Sequence, residues 1–280
     1  MNRSELFLSA AVALLAVSVG CGGGPSISDE LKMVPGLCFL HVHLDDELDV
    51  SLLPSGAGAA IPIWLVDSLH AKGALGISLL GVNLTDLSPQ LLFLSRHVSP
   101  EEMAGIGASG FGCSAVQTGS GFDLVDGRGG ILGSVAGRDG WACLITGSGS
   151  DRSTGRWLEM DEDGSLAADT DLVAISGSDA DLNILISRNS ISFLSVIPTG
   201  MLTRSQITYL NIARRIIADL GVAAARISAD VTEGDPAGLL LEFRIVREGG
   251  NVASISAGFS DTGISPDSLI SYLTAFYGLE

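Results

Sequence analysis

The chain has 280 residues, 46% of them hydrophobic and 17% charged, with 36 glycines and a mean hydropathy of +0.43. That is enough apolar material for one large core or two small ones, and the glycines announce many turns. Acids outnumber Lys and Arg by 32 to 15, and the formal charge of −17 repels phosphate backbones, which argues against nucleic-acid binding and against a broad electrostatic grip on anionic lipid.

The first residues read MNRSELFLSAAVALLAVSVGCGGG. Arg3 supplies a positive start, weakened by Glu5. Leu6 to Val19 is an apolar run of 14 residues, long enough for a signal-peptide core and short of the about 20 that a spanning helix needs. The run ends in Ser18-Val19-Gly20-Cys21. This resembles the lipobox of bacterial lipoproteins, with Ser18 standing where Leu is usual, and the resemblance covers the first 24 residues. It implies a signal peptide over residues 1–20, cleavage before Cys21 and a diacylglycerol on the Cys21 sulfur. Residues 21–30 would be a lipidated tether, flexible through Gly22-Gly23-Gly24. Two or three acyl chains hold a protein on a membrane where one does not, so the body would sit outside the cytoplasm on a membrane surface. Gly22, rather than Asp, resembles the outer-membrane sorting pattern of two-membrane bacteria. A secretory peptide cleaved nearby and a retained anchor are the alternatives.

Residues 31–147 read as a first α+β unit. Leu37–Leu44 is a β-prone apolar run. Ile61, Trp64, Leu65, Ser68 and Leu69 fall on a helical period within 57–72, with Gly73 as the stop. GALGISLLGV and QLLFLSRHV read as strands. Ser99-Pro100-Glu101-Glu102 opens a helix, with a capping Ser, Pro in the first turn and acids on the positive end of the dipole. From Gly110 to Thr146 a β-meander is predicted, turning at Gly119-Ser120-Gly121, Asp126-Gly127 and Arg138-Asp139-Gly140. Residues 148–170 read as a loop and boundary. The second unit, 171–280, opens with a strand at Asp171–Ser176 and the runs LNILIS and ISFLSVIP. A helix at Thr203–Leu220 follows, then the strands AAARISADV, LLLEFRIVR and NVASISAGF, and a last helix from Ser265 to Tyr277. The fold class is therefore α+β: antiparallel sheets with covering helices. KGALGISL…SPQLLFL…SPEEM lies beside AAARISAD…DPAGLLLEF…SPDSL, which suggests two related repeats. A duplicated body behind a lipobox resembles several exported families of unknown function.

His41-Val42-His43-Leu44-Asp45-Asp46 is the sharpest chemical motif. It resembles the HxHxDH motif of the metallo-β-lactamase fold, with Asp46 in place of the last His. That resemblance implies zinc held by His41, His43, Asp45 and Asp46, and a metal-dependent hydrolase. The fold would need later His ligands, and the chain has none after His97. Period-two geometry alone also puts His41 and His43 on one strand face. Gly105 to Gly110 spells GxGxxG, but a helix precedes it and a strand follows, the reverse of a phosphate-binding turn. Asp161, Asp163 and Gly164 resemble half of a calcium loop whose twelfth position is Thr170 rather than Glu. Cys113 and Cys143 are a candidate disulfide; alternatively they are small buried residues like Cys38. There is no GxSxG or SxxK. No cofactor is implied and no catalytic set stands out. The sequence thus points to a non-catalytic envelope lipoprotein, a binding, scaffolding or structural component whose partner is an envelope protein or hydrophobic ligand. A carrier of lipid or other hydrophobic ligand is the alternative.

Overall fold

Alternation of apolar residues builds a single antiparallel sheet of eleven strands among the described residues. The structure, a computed structural model, describes residues 27–46, 48, 62–83, 88–177, 180–196, 204–232 and 238–259. Cys21, the leader, most of the tether and the helix expected from Ser265 lie outside them. The strands are β1 (Leu40–Leu44), β2 (Leu75–Val82), β3 (Pro89–Ser95), β4 (Ser114–Gln117), β5 (Gly121–Val125), β6 (Ile131–Arg138), β7 (Trp141–Thr146), β8 (Leu182–Ile186), β9 (Val222–Thr232), β10 (Gly238–Arg247) and β11 (Val252–Phe259). Their order is β11-β10-β9-β8-β1-β2-β3-β7-β6-β5-β4. The helices are α1 (Ile27–Leu31), α2 (Ile63–His70), α3 (Pro100–Phe111), α4 (Ser150–Glu159), α5 (Thr170–Ser176), α6 (Arg188–Val196) and α7 (Arg204–Leu220). The α+β class holds, with one sheet in place of several.

Two cores flank the sheet. On one face Val42, Ile77, Phe93, Leu144, Ile184 and Ile227 pack with Leu65 and Leu69 of α2 and Met103 of α3. On the other, Leu92, Leu94, Cys143, Ile145 and Leu185 pack with Ile27 and Leu31 of α1, Trp157 of α4, and Leu172 and Ile175 of α5. Because successive side chains point to opposite faces, each central strand feeds both cores and carries few polar residues.

Several sequence expectations change. Residues 148–170 are not a loop: α4 fills Ser150–Glu159 and buries Trp157, whose indole N–H donates to Met33 O at 2.7 Å. Asp171–Ser176 is helix rather than strand. The Asp169 side chain accepts from the Leu172 N–H at 3.1 Å, and Leu172 and Ile175, three apart, share the buried side. Most of ISFLSVIP lies in α6. The expected Ser99 cap is present, accepting from the Glu102 N–H at 3.2 Å. The GxGxxG glycines all lie within α3: Gly105 faces open space, and a Cβ at Gly110 would run into the Trp64 ring of α2. Inside a helix they form no phosphate-binding turn, and of these two Gly110 alone serves helix packing.

Both halves place strand, helix and two further strands in that order. β1, α2, β2 and β3 match β8, α6 with α7, β9 and β10, and neighbouring strands pair antiparallel in each. β1 and β8 then pair with each other at the centre of the sheet.

Candidate functional site

A buried acid–imidazole cluster sits where β1 passes under α1. Ile27, Glu30 and Leu31 fall three and four residues apart and so face the sheet together. Glu30 is thus carried into the core on an apolar stripe, only 3% exposed. His41 and His43, two apart on β1, point to the same side. His43 Nδ1 lies 2.6 Å from Glu30 Oε2, and His41 Nε2 lies 3.0 Å from Glu30 Oε1. The second contact is close but not aligned as a hydrogen bond, which leaves Oε1 and Nε2 without aligned partners. His41 Nδ1 stands 2.9 Å from Ser78 Oγ on β2. Gly76, paired with His43, leaves the room that Glu30 needs, for a Cβ there would collide with Oε1.

Charge explains why the group tolerates burial. Desolvation pushes the Glu30 carboxyl up, but the charge on His43, its hydrogen bond and the close approach of His41 outweigh it and hold the pKa at about 2. Burial likewise pushes His43 down, and the Glu30 charge and hydrogen bond, with Asp45 and Asp46, raise it above the usual histidine value. The pair is carboxylate and imidazolium, each removing the cost of the other.

The cluster is one end of a longer polar seam. Register places His43 beside Asn183, Asn183 beside Ser228, and Ser228 beside Glu242; the neighbouring row runs Ser78, His41, Leu185, Arg226, Arg244. Arg226 is 1% exposed. It donates to the carbonyls of Ile175 (2.8 Å) and Gly177, at the end of α5, and pairs with Glu242. A guanidinium here satisfies carbonyls that the helix cannot and complements the negative end of its dipole. The seam thus pins α1 and α5, short helices with little intrinsic stability, to one face of the sheet.

Ser78, His41 and Glu30 connect as nucleophile, base and acid would. Ser78 and His41 are both 0% exposed, however, and a substrate atom must approach the nucleophile to within about 3–3.5 Å. The arrangement as folded is a structural network.

The expected metal set is not assembled. Two ligands of a tetrahedral zinc, each about 2 Å from the ion, stand roughly 3.3 Å apart; the His43–Glu30 separation of 2.6 Å is that of a direct hydrogen bond. Asp45 is buried and its carbonyl accepts from His70 Nε2 at 2.5 Å, while Asp46 faces solvent. Among the described residues no group of three or more His, Cys, Asp or Glu is arranged to hold a metal. Asp161 and Asp163 lie on an exposed turn, and Asp161 Oδ1 accepts from the Gly164 N–H at 2.9 Å. Cys113 and Cys143 are free thiols. Cys143 lies in one core and Cys113 packs against the other, so the sheet itself separates them. Burial pushes the thiols of Cys38 and Cys143 up to about 12.

Sequence reading missed Glu30, which it assigned to the tether, and Arg226, which it passed over within the strand AAARISADV. The signals were a carboxylate inside an i, i+3, i+4 apolar pattern and a strand whose two faces are both covered. No family model matches the chain, and no curated protein matches it. Crystal form III of TP0453, a solved structure, is similar at 12% identity with a TM-score of 0.43, covering 87% of this chain and 85% of that one. No helix among the described residues is long and apolar enough to cross a membrane.

Proposed function

We propose that the protein is a non-catalytic binding or scaffolding component of a bacterial cell envelope, exported and held on a membrane surface by acyl chains on Cys21. The observation that carries this reading is the 14-residue apolar run ending in Ser18-Val19-Gly20-Cys21 and followed by three glycines. The non-catalytic part is supported by burial: the side chains best suited to acid, base or nucleophile chemistry, Glu30, His41, His43 and Ser78, are at most 3% exposed and engage one another. A wide sheet fixed by two cores suits a protein that presents a rigid surface, and a net charge of −17 favours protein partners over nucleic acid. Metabolic labelling with an alkynyl palmitate tests the tether. Label should enter the wild-type chain and be lost in Cys21→Ser, with the variant leaving the membrane fraction. Absence of label in both chains would sink the reading.

A further inference from the structure

We propose that the cleft between the end of β3, the start of α3 and the β6–β7 hairpin binds a small oxyanion ligand, a carboxylate or a phosphate ester. The cleft is shallow and open to solvent, with a volume of about 530 Å³, within the range of small-molecule sites. It shares no residue with the acid–imidazole cluster: Arg96, His97, Ser99, Arg138, Asp139 and Trp141 are among its lining. A charged lining of this kind suits a polar head better than an acyl chain.

Hydrogen-bond bookkeeping sets the ligand's chemistry. The Arg96 guanidinium carbon stands over the Trp141 ring, 4.5 Å from its centroid, and Arg96 Nη2 is 3.8 Å from Asp29 Oδ2. The cation–π contact holds the guanidinium at the cleft wall, and with one acid at the edge of ion-pair range its N–H donors can serve a planar or tetrahedral oxyanion. Trp141 is 4% exposed and its indole N–H has no partner among the described residues; buried donors are normally satisfied. Ser99 already accepts from the Glu102 N–H, so its hydroxyl proton is free to donate. The exposed His97 ring adds another N–H beside the first turn of α3.

Arg138 is committed elsewhere. Its Nη1 serves the carbonyls of Trp157 and Met160 at 2.6 Å each, and its Nε stands 3.5 Å from Asp139. It contributes charge to the wall, not a free fork. Asp139 is the single carboxylate of the lining and its side chain is 70% exposed, turned toward solvent. The cleft therefore gathers donors and positive charge on a chain whose net charge is −17, and such a local reversal focuses an anion there.

Isothermal titration calorimetry on the full chain tests the site, with inorganic phosphate, N-acetylglycine and phosphatidylglycerol vesicles as separate probes. Saturable one-to-one binding of phosphate or of N-acetylglycine is expected, and which of the two binds tighter identifies the ligand's head group. Arg96→Gln should weaken it about tenfold and His97→Gln, at an exposed position, about threefold. Arg215→Gln, which removes the same charge from the exposed face of α7, should leave it unchanged. No saturable binding of either small anion, binding of vesicles alone, or equal losses in Arg96→Gln and Arg215→Gln would each overturn the proposal. Should Arg96→Gln misfold, unchanged affinity in His97→Gln would do the same.

Discussion

Glu30 and His43 tie stability to pH in two directions. Glu30 falls from 4.5 to about 2 on folding, so its contribution is whole above pH 4.5 and disappears as pH drops toward 2. His43 rises from 6.5, so its contribution is whole below pH 6.5 and is lost as pH climbs through the raised folded value. The two windows overlap between 4.5 and 6.5, where the pair should stabilise most. Glu30→Gln leaves a buried imidazolium without its counter-charge and should cost about 3–5 kcal/mol in that window. It should also flatten both limbs of the curve. Urea midpoints measured from about pH 3 to 8 check this; parallel curves for wild type and variant would mean the pair is not ionised in the fold. Removing the imidazole as well, in Glu30→Gln/His43→Gln, should recover part of the loss, because no uncompensated charge is then left inside.

Helix packing separates two glycines that look alike in sequence. Gly110 sits where α3 meets Trp64 of α2, and Trp64 stands edge-on to Phe111 with ring centroids 5.0 Å apart. Gly105, one and a half turns earlier, faces open space. Gly110→Ala should therefore cost about 1–2 kcal/mol through overpacking, whereas Gly105→Ala should gain roughly 0.5–1 kcal/mol by removing backbone freedom from the unfolded chain. Thermal or urea unfolding of both variants checks the contrast, and equal effects would refute it. The same contrast shows what the sequence reveals about elements. Ser99 and Pro100 declared the start of α3 because capping is local. β2, β3 and the meander were legible because alternation and turn residues are local too. Asp171–Ser176 misled: its apolar residues, Leu172, Val173 and Ile175, fit a short strand as well as a helix, and only the Asp169 cap and the sheet beneath decide between them. Glu30 was hidden for a related reason. Its meaning comes from His41 and His43, eleven and thirteen residues later, which long-range packing alone brings into reach.

At the scale of the molecule, the chain's halves share a topology but not independence. β1 pairs with β2 on one side and with β8 on the other, so the central strand of the first half is completed by the second. Cutting the chain at the start of the boundary read from the sequence at 148–170 would strip β1 of four residue pairings with β8 and open the polar seam between His43 and Asn183 to water. An unpaired strand with a covered, apolar neighbourhood is a template for association with other chains. A fragment of residues 27–147 should consequently fail to fold as a monomer, giving broad spectra and no cooperative unfolding transition, and the same holds for 148–280. Mixed in equal amounts, the two fragments should restore the β1–β8 pair and with it a cooperative transition. A fragment that unfolds cooperatively by itself would show that the pairing is an interface between finished units, and the repeated strand–helix–strand–strand order would then describe two domains laid edge to edge. The continuity of both cores across β1 and β8 argues for the first outcome: Val42 and Ile184 share one core and Cys38 and Leu185 share the other, so neither half closes its own interior.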